Sequence, residues 1–227
     1  MNIEIFRYAA IPVRMNVKKG DTVVVLTDSK VHPAIQEALA VAIYHEGATP
    51  IQVVIPPPKT FGNEPPAAAA AALLHADLII SACSTAMTHT DAIRAALGKG
   101  IRYLAMGGIT VESLTQGAAT ADYNEIARIS YALTEKLDAC KTVKVVSEQG
   151  TDITFSLEGR PSFPLCGIIE ERRGIAAFPD GEVAVAPVEG TANGRIVVDG
   201  TIHHIGKIQT PVVLEVKNGK VVSISGG

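Results

Sequence analysis

The sequence predicts an α/β protein in two parts. The first is a Rossmann-like open parallel sheet with helices on both faces, over residues 1–145, and the second is a small β-rich domain over residues 146–227. Three observations carry this. Continuous β-branched runs alternate with helical patterns up to about residue 140. The connections between them are short, as a parallel sheet with crossover helices requires. After residue 147 the apolar residues recur at every second position, and no helical pattern longer than about two turns follows.

The elements follow in order. "TVVVLTD" (22–28) is an unbroken apolar run, the mark of a strand buried on both faces. "HPAIQEALAVAIYHEG" follows, with Pro33 suited to a first helical turn, one face made by Ile35, Leu39, Ala42 and Ile43, and Gly47 as the stop. "TPIQVVI" (49–55) is the second strand. A stiff Pro-rich loop, "PPPKTFGNEPP", then leads into an Ala-rich helix ending at Leu74. "ADLIISA" (76–82) is the third strand. "THTDAIRAALGKG" (88–100) is a helix that Thr88 or Thr90 can cap and the Gly98–Gly100 region can end. "IRYLAM" (101–106) is the fourth strand, and Thr110 opens a short helix. A longer helix, about 120–139, carries Tyr123, Ile126, Ala127, Ser130, Leu133 and Leu137 on one stripe.

"KTVKVVS" (141–147) closes the first pattern. Alternation then takes over at Ile153, Phe155 and Leu157, at Val183 and Val185, at Ile196 and Val198, and at Val212, Leu214 and Val216. Asn218-Gly219 between apolar runs is a hairpin signal, because both turn residues must adopt positive φ.

Composition narrows the function. With 47% hydrophobic and 19% charged residues the chain has the makeup of a soluble globular protein. Aromatics are 4%, Trp is absent, the net charge is −3 and there is no basic run. Neither nucleic acid nor an anionic membrane is an expected partner. No segment approaches the roughly 18 apolar residues of a membrane span, and the N-terminus lacks the pattern of a signal peptide, so a cytoplasmic protein is expected. Cys83, Cys140 and Cys166 fit no metal or redox spacing and read as buried free thiols.

In open parallel sheets ligands bind beyond the carboxyl ends of the strands. Three loops qualify: "TDSKVH", "CSTAMTHT" and "MGGIT". None is a Walker or GxGxxG loop, and Gly107-Gly108 reads as a tight turn. Ser84, His89 and Asp91 share one loop, but no nucleophile elbow surrounds them, and helix capping explains the same residues. His203 and His204 are strand neighbours with glycines nearby, which places them in an exposed loop. Glu182 differs, because it adjoins the apolar run Val183–Pro187; period-two alternation allows it to face solvent. A metal at that point would need three or more further ligands, which the rest of the chain does not plainly provide.

Three segments, "GTDITFSLEGR" (150–160), "GIIEERRGIAAFPDGEVAVAPVEGTANGRIVVDG" (167–200) and "VVLEVKNGKVVSISGG" (212–227), resemble the thermophilic metallo-aminopeptidases, the leucyl aminopeptidase and aminopeptidase T group. The likeness is strongest from Gly150 to Gly227 and looser upstream, where "STAMTHTDAIRAALGKGIRYLAMGGIT" is similar to that family's helix start and following turn. The resemblance implies a metal-dependent aminopeptidase releasing N-terminal residues from peptides, with a two-metal site of divalent ions (zinc, cobalt, magnesium or manganese) and Glu182 as the first metal ligand. Glu189 and Asn193 shape the turn. It further implies a homodimer with the β-rich end as contact surface.

The same resemblance implies that the family's remaining ligands, a second glutamate, a histidine and a closing His-x-Asp, come after the point where this sequence ends. A chain lacking that part is expected to have little peptidase activity and to be marginally stable or self-associating. Two alternatives stand beside it. One is the related ring-cleaving branch, similar to 2,5-dihydroxypyridine dioxygenases, which shares the architecture and uses mononuclear iron; Glu182 tilts against it. The other is a non-catalytic α/β binding module in which Glu182 is a relic.

Overall fold

A computed structural model describes residues 3–170, 173–202 and 205–227. The chain divides into two compact units: Met1–Ser130 with Leu165–Glu182, and Tyr131–Pro164 with Val183–Gly227. A single cut at residue 145 does not describe this division, because 165–182 returns to the first unit.

In chain order the elements are α1 (Ile3–Asn16), β1 (Thr22–Asp28), α2 (Pro33–His45), β2 (Thr49–Ile55), α3 (Ala67–Leu73), β3 (Leu78–Ala82), α4 (Asp91–Gly98), β4 (Arg102–Ala105) and α5 (Val111–Thr115). A 3-10 turn, Gly117–Thr120, precedes α6 (Tyr123–Ala139). The strands β5 (Thr142–Val146), β6 (Asp152–Ser156), β7 (Phe163–Leu165), β8 (Ile175–Ala177), β9 (Glu182–Ala184), β10 (Asn193–Val198), β11 (Thr201–Ile202), β12 (Gly206–Lys207), β13 (Val212–Lys217) and β14 (Lys220–Gly226) follow.

The first unit is the expected α/β layer structure. Its sheet runs β2-β1-β3-β4-β8, parallel throughout. β1 shows why its run has no alternation. Val23 and Val25 join the core with Ile5, Leu39 and Ile43, while Val24 and Leu26 join the opposite core with Leu73, Ile79 and Ile93. Along α2, Ile35, Leu39 and Ile43 are completely buried, each contributing about 2 kcal/mol of transfer free energy. His32 and Pro33 start α2, and Gly47, at φ +75°, follows its end. Thr90 caps α4 by accepting from the Ile93 N–H, and Thr110 caps α5 in a reciprocal box with Ser113.

Two strands depart from the sequence expectation. β5 pairs antiparallel with β6 and so belongs to the second sheet, not to the parallel one. β8 pairs parallel with β4 as the fifth strand of the first sheet. Its central residue, Ala176, is fully buried, and a strand of three residues is too short to leave a periodic signal. Buried Asn16 ties down the segment leading to β8: its Nδ2 donates to the Gly167 carbonyl (2.7 Å) and its Oδ1 accepts from the Ile169 N–H (2.8 Å). Asn16 ends α1, a helix the sequence reading did not anticipate. Pro12 lies inside it, and its carbonyl accepts from Asn16 Nδ2. On α6 the buried stripe is Tyr123, Ala127, Ser130 and Thr134, whereas Leu133 is exposed; the 3.6-residue period carries the stripe to 134 and leaves 133 about 100° away.

The second unit holds an antiparallel sheet, β14-β13-β10-β6-β5. One face bears the ion pairs Lys144–Asp152 (3.0 Å) and Arg195–Glu215 (2.6 Å). The other carries Ile153 and Val216, two of the buried members of the alternating pattern. The Asn-Gly hairpin forms as expected: Asn218 (φ 48°) and Gly219 (φ 73°) join β13 to β14. β11 and β12 pair with each other; His203 and His204, expected in an exposed loop, lie outside the described residues. No described helix is long and apolar enough to cross a membrane.

Gly194 sits where β10 meets β6, at φ +135°, and a Cβ there would stand 2.2 Å from the Asp152 carbonyl oxygen. Gly194→Ala is therefore expected to cost about 2 kcal/mol or more, read as a lowered urea midpoint for the second unit. An unchanged midpoint would contradict the register described here.

Candidate active site

The strand order β2-β1-β3-β4 reverses direction between β1 and β3, which is where open α/β sheets usually bind ligands. Here the protein's own carboxylate fills that crevice. Asp28 is completely buried at the end of β1. Its Oδ2 accepts from the Ser84 N–H (2.6 Å) and its Oδ1 from the Lys30 N–H (2.9 Å). The loop after β3 is thereby stapled to the loop after β1.

The open space lies one step along the sheet. A cleft of ≈ 380 Å³ is lined by Ala86 and Thr88 from the loop after β3, by Gly107 and Gly108 after β4, by Ser113 of α5, and by Phe178, Pro179 and Asp180 after β8. Its floor is set by a close backbone approach: a Cβ at Gly107 would stand 2.6 Å from Ala86 Cα, so only glycine fits. The Gly108 N–H donates to the Cys83 carbonyl (2.8 Å) and the Met106 N–H to the Ser81 carbonyl (2.9 Å), holding the two loops together. Gly107-Gly108 is the tight turn the sequence suggested, and it is also a wall of the cleft.

The third wall comes from the "FPDGE" stretch. Phe178 is buried and its ring stands 4.8 Å, centroid to centroid, from Tyr123. The Tyr123 hydroxyl accepts from the Asp180 N–H (3.2 Å), fixing the backbone that delivers Asp180 to the cleft. Burial pushes Tyr123 up to about 12. Asp180 is held above the usual carboxylate range by burial, opposed by the Gly181 N–H and supported by the Glu182 charge. Thr88 forms the opposite wall, its Oγ1 3.4 Å from the hydroxyl of fully buried Tyr103.

Of the residues singled out in sequence, Glu182 is exposed at the start of β9. Among the described residues no group of three or more His, Cys, Asp or Glu side chains is placed to hold a metal ion. Asp180 and Glu182 form a carboxylate pair without the further donors a metal needs. Ser84 and His89 make no hydrogen bond to each other among the described residues. His89 is exposed beside Phe61, with ring centroids 5.8 Å apart, and the capping role of this segment falls to Thr90. Glu189 pairs with Arg160, and Asn193 accepts from the Asn218 N–H (2.9 Å), so both shape turns. The thiols are not all buried, since Cys140 is exposed. The sequence reading named the loops after β3 and β4 as candidate ligand loops, but not Ser113 or Phe178–Asp180; apart from Asp180 the lining residues are small, apolar or hydroxyl-bearing and come from four separated segments, so no spacing motif marks them.

A parallel sheet with an apolar-walled cleft beyond its carboxyl edge is the frame of an α/β protein with a small-molecule site. The family model for 2,5-dihydroxypyridine 5,6-dioxygenase (NicX) matches residues 8–227, and the chain belongs to that family. The solved structure of 2,5-dihydroxypyridine dioxygenase from Pseudomonas putida KT2440 superposes with a TM-score of 0.82 at 20% identity, over 100% of this chain and 69% of that one. Wild-type AmpT from Thermus thermophilus gives 0.66 at 15%, over 98% of this chain and 71% of that one. No curated protein matches the sequence. The family match overturns the assignment to the metallo-aminopeptidases, and with it the peptidase and hydrolase reading. The enzyme class that goes with the family is a dioxygenase, an oxidoreductase, and the likeness to AmpT is one of fold alone.

Burial also pushes the Cys83 thiol from 9.0 up to about 12. A thiol that holds its proton more tightly when folded stabilises the fold fully below the unfolded value and loses that contribution as pH rises towards the folded one. Stability to urea is therefore expected to fall between pH 9 and 12, and Cys83→Ala should flatten that fall. An identical slope in the variant would contradict the burial of this thiol.

Proposed function

We propose that the protein is a ring-cleaving dioxygenase that takes a small hydroxylated nitrogen heteroaromatic ring of the 2,5-dihydroxypyridine class in the cleft beyond β3, β4 and β8. The observation that supports this is the family match over residues 8–227, which includes every residue lining the cleft. The cleft suits such a ring. Its volume of ≈ 380 Å³ lies within the range of small-molecule sites. The Gly107-Gly108 turn brings no side chain to one wall, and Pro179 offers an apolar surface beside it. Thr88, Ser113 and Asp180 are the polar groups that can orient ring substituents.

In this reading the products carry both atoms of dioxygen, inserted at the ring carbons 5 and 6 that the family description specifies. Iron is the metal that the dioxygenase resemblance implies, in place of the zinc, cobalt, magnesium or manganese set that came with the peptidase. The described residues do not fit an iron centre by themselves, because Glu182 and Asp180 lack a third donor. The roles assigned to this chain's residues are accordingly to bind the ring, orient it and screen it from water.

The test is oxygen consumption by the protein with 2,5-dihydroxypyridine and added ferrous iron. The expected result is one dioxygen consumed per ring lost, followed by the fading of the ring's ultraviolet absorbance. Absence of both oxygen uptake and ring loss would overturn the proposal.

A further inference from the structure

One loop holds the cleft wall from outside, and the proposed function does not use it. It is the Pro-rich stretch "PPPKTFGNEPP" (56–66) between β2 and α3. Its prolines stiffen both arms, since each fixes its own φ, and Pro65 is buried. Its tip is a closed turn. The Thr60 N–H donates to Asn63 Oδ1 (2.7 Å), the Asn63 N–H donates to the Thr60 carbonyl (3.3 Å), and Gly62 takes φ +75°.

The tip is fastened to the loop after β3 on either side of Thr88. Before it, the Gly62 N–H donates to the Ala86 carbonyl (3.2 Å). After it, Glu64 accepts at both carboxylate oxygens, from the Asp91 N–H (2.5 Å) and the Ala92 N–H (3.2 Å) in the first turn of α4. The first N–H groups of a helix have no partner inside it, and a carboxylate suits that end of the dipole. Between the two points Phe61 lies beside His89. Asp28 and Gly107 thus hold the loop as far as Ala86, and residues 56–66 hold it from Ala86 to α4.

We infer that residues 56–66 are a strap that keeps the Ala86–Thr88 wall in the form that takes the ring, with Glu64 as its positioning residue. This rests on the cleft being the ring's site, as proposed above. Glu64 does not line the cleft, so it acts through the wall. A wall that leaves its path binds the ring only in the fraction of molecules that keep it. The coupling is reciprocal: the ring fastens the strap by the factor with which the strap favours the ring.

The test is calorimetry with 2,5-dihydroxypyridine, under nitrogen so that the ring is not oxidised, together with hydrogen exchange in the presence and absence of the ring. Glu64→Ala is expected to bind the ring about fivefold more weakly, the effect of one lost helix cap. Glu64→Gln, which keeps one acceptor oxygen, is expected to lie between that variant and the wild type. His32→Ala removes the side-chain cap of α2, a helix that does not line the cleft, and is expected to bind like the wild type. In the wild type, saturating ring is expected to slow exchange of the Gly62, Asp91 and Ala92 N–H groups; in Glu64→Ala, Gly62 exchange is expected to be unchanged by the ring. A Glu64→Ala protein with wild-type affinity, or wild-type exchange at these three groups that ignores the ring, overturns the inference while leaving the cleft as the ring's site. An equal loss of affinity in His32→Ala traces the effect to general stability and also overturns it. A wild type that does not bind the ring overturns both.

Discussion

The carboxylate of Asp28 is the interaction on which the rest of the site depends. Placed at the carboxyl end of β1 and completely buried, it accepts from the backbone of the loop after β3 and so occupies the crevice where the sheet reverses its strand order. A buried carboxylate without such partners is costly, so this bond holds the loop to one path. With the crevice taken, the loop carries Ala86 and Thr88 over to the next gap. There the backbone at Ala86 meets Gly107 too closely for any side chain. The cleft is therefore displaced by one strand along the sheet, and β8 becomes one of its walls.

The chemistry of the cleft follows from that displacement. Its surface is mostly small residues and backbone, and the few polar groups are held by neighbours. Asp180 is positioned through its own N–H by Tyr123, whose ring is packed on Phe178. Thr88 is positioned by Tyr103, a tyrosine with no exposed surface. Both aromatic residues thus combine burial in the core with a hydroxyl aimed at the cleft wall, an economical use of a chain with 4% aromatics.

Much of the fold was legible because packing on two faces leaves a plain signature. The runs 22–28, 76–82 and 101–106 are strands buried on both faces, 49–55 is a β-rich run that forms the exposed edge, and the Asn218-Gly219 turn forms because both residues tolerate positive φ. What was not legible depends on contacts far apart in sequence. β8 is three residues long, and the segment leading to it is held by Asn16, 151 residues before Gly167. β5 reads as a fifth strand of the parallel pattern until its antiparallel partner β6 is seen. The site was the least legible part. Glu182 drew attention because a carboxylate beside an apolar run is conspicuous, yet it stands exposed, whereas the Phe178–Asp180 stretch just before it faces the cleft. The resemblance built on that stretch pointed to the wrong branch of a shared architecture.

The most direct measurement is a crystal structure of the protein with 2,5-dihydroxypyridine bound. The account places the ring against Gly107 and Pro179, with its polar substituents beside Thr88, Ser113 and Asp180. A ring bound elsewhere, with this cleft filled only by water, would contradict it.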